Sequence, residues 1–225
     1  LYATDIAKKN DRLTIGNLDL KPEKNNYFSL SAEYVHERFS VSVNAFYNNI
    51  RDMIDYNTIA TGDKAMEQYG HKEVRQRDNI AEAKVHGINV SANAYLGAGF
   101  NLSGGYTHLN TQDVELEQPI DKSIKNAYNI NAQWAHSWKI YRLNINLNGR
   151  INSKRFSKSY GYAPEYQLWD LNTRHSFNLK SVIIEPGFGM ENLFDYMDDR
   201  PYNSNYATLT PGRSFYISLS LKFKS

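Results

Sequence analysis

The stretch YRLNINLNGRIN, Tyr141 to Asn152, sets Leu143, Ile145, Leu147 and Ile151 at every second place, with Arg142, Asn144, Asn146, Asn148, Arg150 and Asn152 between them. Period two belongs to an extended strand, so one face is apolar and the other is rich in amides and guanidiniums. The fold turns on which solvent wets each face.

The same period recurs along the chain. Eight further segments, at 27–35, 39–54, 77–96, 100–109, 126–137, 166–179, 182–194 and 213–223, read as strands, giving nine with little helix between them. The connections alternate in length. Short ones fall at 36–38, 97–99, 138–140 and 179–181, and long polar ones at about 57–76, 110–125, 153–165 and 195–212. Such a meander, tight at one end and long-looped at the other, is the pattern of outer-membrane barrels, whose short turns are periplasmic. On that reading the last strand descends to a periplasmic C-terminus.

Composition bounds the alternatives. No run of 18 apolar residues exists and the mean hydropathy is −0.63, so no transmembrane helix is expected, although a barrel exposes apolar groups only at alternate positions. The formal net charge of +2, with Lys and Arg spread along the chain, argues against a nucleic-acid partner. With no cysteine there is no disulfide scaffold, thiolate metal site or Cys nucleophile. The opening LYATDIAKKN has neither a basic nor an apolar leader region, so an export signal is expected upstream or already removed.

A soluble β-sandwich also alternates, and alternation alone leaves both open. The polar partners tilt the reading: they are mainly Asn, Ser, Gly and Gln, small neutral groups that suit a crowded lumen without the cost of burying charge. Lipid is therefore expected against Leu143, Ile145 and Leu147, and water or protein against Asn144, Asn146 and Asn148. Tyr34, Phe39, Tyr47, Phe100, Tyr106, Trp134, Trp138, Tyr141, Trp169 and Phe223 are placed for interfacial girdles. Nine strands would leave two open edges, which hydrocarbon does not tolerate, so further strands are expected upstream or on another chain.

Four motifs in order then resemble one family. GNLDLKPE (16–23), FYNNIRDMI (46–54), NIAEAKVHGINV (79–90), and ENLFD (191–195) with PGR (211–213) are similar to stretches of TonB-dependent outer-membrane receptors. Leu18, Asn89, Lys224 and Ser225 depart from that pattern. The resemblance implies an antiparallel up-and-down transmembrane β-barrel of about 22 strands around an N-terminal plug. Residues 1–225 would be its C-terminal part, about nine strands, with the plug and TonB box absent from this chain.

It also implies an outer-membrane transporter that takes up a metal chelate (siderophore, haem or cobalamin), TonB pulling on the plug. Its partners would be outer-membrane lipid, the plug and remaining strands, and the small-molecule substrate. Plug-facing roles fall to Arg142, Asn144, Asn146 and Arg150. Ligand contacts fall to Arg155, Tyr160, Tyr162, Trp169, Tyr202 and Tyr206, aromatics and Arg at an extracellular mouth. The alternatives are a glycan-importing receptor of the same superfamily, working with a surface lipoprotein, and a soluble adhesin or carbohydrate-binding module.

No enzyme chemistry stands out. GFGMEN (187–192) has Asn192 where a dinucleotide loop needs its third glycine, and the six His residues show no metal-ligand spacing. Asp170 and Glu185 are not brought together by any pattern. Asp195, Asp198 and Asp199 read as a solvated acidic loop in preference to a calcium site. No metal or cofactor is expected.

Overall fold

A computed structural model describes residues 7–9, 11–158, 161–198 and 211–224. The elements in chain order are β1 (Ala7–Lys9), β2 (Arg12–Ile15), β3 (Lys24–His36), β4 (Phe39–Thr61), α1 (Gly62–Tyr69), β5 (Glu73–Gly97), β6 (Phe100–Asp113), β7 (Asn126–Trp138), β8 (Tyr141–Asn152), β9 (Arg155–Ser157), β10 (Gly161–Ala163), β11 (Tyr166–Asn178), β12 (Val182–Glu191) and β13 (Ser214–Phe223). They group into two compact units, the first of residues 1–28, 47–86 and 111–119, the second of 29–46, 87–110 and 120–225.

The second unit holds the meander. Its strands pair in the order β3, β4, β5, β6, β7, β8, β11, β12, β13, so chain neighbours are sheet neighbours, and the pairs from β6 to β13 are all antiparallel. Among the described residues the path is open: β3 pairs only with β4, and β13 only with β12. The sheet is fully extended through the opening stretch, where β8 pairs along its whole length with β7 and β11. Between Arg174↔Gly187 and Phe177↔Ile184 the β11–β12 ladder is interrupted where Pro186, lacking an N–H, sits in the strand.

Tight turns close one end, as the spacing predicts. Ala98 and Gly99 both take positive φ, 49° and 87°, the twist-matched geometry of a two-residue hairpin. A Cβ on residue 99 would stand 2.0 Å from the Ala135 carbonyl oxygen, so glycine is required twice over.

The first unit is built differently. β2 runs parallel to the start of β5, from Arg12↔Glu73 to Ile15↔Gln76. α1 occupies the span expected to be a loop; Gly70 closes it in the left-handed conformation, φ 72°, with its N–H on Met66 O. Leu13, Ala65 and Val74 form a small core, covered by Ile15, Ala60 and Tyr69. β5 is 25 residues long, whereas roughly 9–11 cross a bilayer, so Glu73 lies well beyond any span. Arg12 Nε, 2.8 Å from Glu73 Oε2, and then Arg75 hold that carboxyl below its ordinary range.

The motif residues explain how this end is held. Asn79 donates Nδ2 to Lys21 O at 2.9 Å and to Asp52 O at 2.6 Å, and its Oδ1 accepts from Lys21 N–H at 2.7 Å. Glu23 accepts from Ile54 N–H at 2.8 Å, and Lys24 pairs with Asp52 at 3.1 Å. Asp52 itself has φ 55°. Three separated motifs thus meet around one amide side chain, which satisfies three backbone groups.

Candidate functional site

The second unit's sheet separates its side chains by chemistry. Register places Ser103, Asn131, Asn148 and Asp170 side by side on one face, and Gln133, Asn146 and Asn172 in the next row. Arg142, Arg150 and Arg174 share that face with them. Neighbouring strands continue it through cross-strand hydrogen bonds: Asn44 to Ser31 at 2.7 Å, Ser42 with Ser91 at 2.7 Å, and Thr107 to Asn89 at 2.9 Å. A groove of about 600 Å³ on this face is lined by Ser103, Asn131, Asn148, Arg150, Asp170 and Glu191 among others.

The amides bond to one another. Asn131 Nδ2 donates to Asn148 Oδ1 at 2.6 Å, and Asn148 donates onward to Asn146 Oδ1. Asn144 Oδ1 is buried with no hydrogen-bond partner among the described residues. Tyr216 on β13 crosses above Gly189, where a Cβ would stand 2.1 Å from its ring, and donates to Asn172 two strands away. All four side chains read from sequence as plug-facing, Arg142, Asn144, Asn146 and Arg150, lie on this polar face.

The opposite face is apolar. Leu102, Ala132, Leu147, Leu171, Met190 and Phe215 form one row across five antiparallel pairings, and Phe100, Trp134, Ile145, Thr173, Phe188 and Ile217 the next. Toward the tight turns the rows become aromatic. Trp138 stacks on Tyr141 at 5.5 Å, Tyr141 meets Phe177 at 5.0 Å, and Tyr141 Oη lies 2.7 Å from His175 Nδ1. Near the long loops Tyr106 and Tyr128 stack at 4.7 Å.

The ligand-contact residues scatter. Arg155 and Tyr162 come together on the short β9–β10 hairpin, which sequence periodicity was too brief to reveal. That hairpin is pinned to the preceding loop by Phe156 N–H on Ser123 O at 2.9 Å and Lys158 N–H on Asp121 Oδ1 at 2.9 Å. Arg155 Nη2 is buried with no hydrogen-bond partner among the described residues, and Tyr162 is exposed, edge-on to Phe156 at 5.3 Å. Trp169 lies over Gly149, where a Cβ would come within 2.5 Å of its ring, on the face of Leu147 and Leu171. Tyr160, Tyr202 and Tyr206, with Asp199 of the acidic loop, lie outside the described residues.

Asn192, which the sequence marks both as the misfit in a glycine pattern and as a letter of ENLFD, is buried and bonds both ends of the last loop. Its N–H donates to Asp170 Oδ1 at 2.9 Å, its Nδ2 to Tyr196 O at 2.7 Å and Pro211 O at 3.2 Å, and its Oδ1 accepts from Tyr196 N–H at 2.8 Å. Asp195 accepts from Arg213 N–H at 2.7 Å. The signal lay in ENLFD and PGR, which here prove to be two halves of one clamp. Asp170 is engaged by this clamp and Glu185 by Lys222 at 2.6 Å, so the two carboxylates serve separate partners.

Comparison with known proteins bears on this geometry. The family described as TonB dependent receptor-like, beta-barrel matches residues 2–193. A probable TonB-dependent siderophore receptor, PiuA of Acinetobacter baumannii, is 28% identical over 162 residues, which are 64% of this chain and 21% of that protein. The siderophore receptor PirA from Acinetobacter baumannii superposes with a TM-score of 0.70 at 19% identity, over 94% of this chain and 33% of that one. The copper transporter OprC does so at 0.67 and 14% identity, over 91% of this chain and 32% of that one. The chain thus spans about a fifth to a third of the length of these relatives.

Proposed function

The chain belongs to the TonB dependent receptor-like β-barrel family, and from that premise we propose that it forms part of the wall of an outer-membrane receptor that takes up a metal chelate with energy delivered by TonB. The observation that supports this most is the division of one open sheet into a hydrogen-bonded amide face and an apolar face. Hydrocarbon wets the apolar rows, and the amide face looks into the lumen, where a plug supplies the hydrogen bonds that lipid cannot. The tight turns are periplasmic, and further strands complete the wall at the edges of β3 and β13.

Arg142, Asn144, Asn146 and Arg150 seat the plug in this reading. The buried Asn144 Oδ1 is an acceptor that a plug donor would fill, since an unmet buried acceptor costs about 1–3 kcal/mol. Arg155 and Tyr162 contribute to ligand contact at the long-loop end, the guanidinium matching an anionic chelate and the exposed ring offering a stacking surface. Trp169, packed on Gly149, anchors the strand that carries that loop.

Two measurements test the reading. Cells with the full-length receptor as their sole importer of chelated metal should take up radiolabelled ferric chelate only when TonB is present. Uptake indifferent to TonB, or TonB-dependent uptake of glycans alone, would overturn it. Replacing Arg142 and Arg150 together by Ala should raise the leak of large antibiotics through the receptor, and unchanged leakage would remove the plug-seating role.

A further inference from the structure

We propose that the tight-turn end of the apolar face is a docking surface for anionic phospholipid headgroups of the adjoining leaflet. The proposal rests on the membrane reading above and names the lipid chemistry that this rim selects.

Charge at this end is one-sided. The turns at 36–39, 97–99, 138–141 and 178–182, with the residue after β13, carry Arg38, Lys139, Lys180 and Lys224 against the single acid Glu37. Arg38, Lys139 and Lys180 are exposed. The loops of the same unit at the other end mix signs, with Asp121, Glu165 and Asp195 among Lys122, Lys125, Lys154 and Lys158. Position sharpens the contrast. Asn178 N–H bonds Ile140 O at 2.7 Å, so the turns bearing Lys139 and Lys180 are neighbours, and Lys224 Nζ reaches Leu179 O at 2.8 Å.

Immediately beside these cations, on the apolar face, stand Trp138, Tyr141 and Phe177 in one register row. Ile140 at 58% exposure and Leu179 at 40% continue the apolar surface into the turns themselves. Rings that favour the headgroup boundary therefore fix the depth at which the ammonium groups emerge, and that depth is where lipid phosphates lie. A zwitterionic headgroup offers the same phosphate but carries its own cation, so the rim should discriminate by net charge. A protein partner would be expected to need shape and paired acids; the adjoining hydrocarbon-facing rows favour lipid.

The experiment uses the full-length receptor in detergent, incubated with equal amounts of dioleoylphosphatidylglycerol and dioleoylphosphatidylcholine and weighed intact by native mass spectrometry. The wild-type receptor should retain the glycerol lipid preferentially. Lys139→Gln and Lys180→Gln should each lower that preference by roughly fivefold, whereas Lys154→Gln at the opposite end should leave it unchanged. Heat-modifiable migration of each variant confirms folding. Equal retention of both lipids by wild type, or an unaltered preference in the Lys139/Lys180 double variant, overturns the proposal. A nitroxide on Leu147→Cys separates the two readings: oxygen-accessible label without lipid preference sinks only the headgroup proposal, and a label shielded from oxygen sinks the membrane reading with it.

Discussion

The body of the second unit and the loop end of the first are held by opposite means. In the body, every residue matters a little and alternation decides its neighbour: Leu147 meets Ala132 and Leu171, Asn148 meets Asn131 and Asp170, and no single side chain is indispensable to the ladder. At the loop end a few side chains matter greatly. Asn79 alone satisfies three backbone groups, and Val74 is fully buried in a core of three residues. A repeated pattern tolerates local error, and a clamp does not.

The largest effect is expected where a charge breaks the body's face assignment. Leu147→Arg in the full-length receptor should cost about 2–4 kcal/mol of stability in a bilayer, read from urea unfolding in vesicles, while Asn146→Arg, one residue away on the polar face, should cost clearly less. Equal losses would erase the distinction between the faces. Next comes the clamp: Asn79→Ala strands several backbone groups and should cost about 2–3 kcal/mol, with faster hydrogen exchange at Lys21, whose N–H donates to Asn79. Exchange unchanged at that amide would show the clamp to be ornamental.

Cutting the amide ladder by Asn131→Ala should cost only about 1 kcal/mol, because Asn148 keeps its bond to Asn146. The smallest effect concerns pH. Glu73 ionises more readily in the fold than in the unfolded chain because Arg12 and then Arg75 bond it. Its contribution is therefore present above the ordinary carboxylate range and fades as pH falls through its lowered folded value. Glu73→Gln should flatten the acid limb of the profile of stability against pH, and an identical limb would remove the ion cluster from the account.

This contrast also explains what was legible in the sequence. Tyr141 to Asn152 gives a strand with the bounds its alternation predicts, and the other eight strands follow within a few residues, save where β4 and β5 run on into a span taken for loop. Periodicity sees only what repeats. α1 is eight residues, β9 and β10 three each, too short to show a period, and α1 buries little beyond Ala65. Trp169 was grouped with a ligand loop by proximity in sequence; register puts it over Gly149 on the apolar face. Asn79 and Asn192 were visible as motif letters, but their work is to bond distant backbone groups, and no local pattern encodes which carbonyl a side chain will meet. The family likeness supplied the positions without the reason for them.

The outer flanks of β3 and β13 present rows of amide N–H and C=O groups with no strand beside them among the described residues, bordered by Leu30 and Ile217 at 78% and 83% exposure. Ribbons of that kind recruit their own kind. Handled in water as an isolated polypeptide, these 225 residues should stack edge to edge into β-rich fibres, and a soluble preparation will call for a supplied edge-capping strand or a detergent belt.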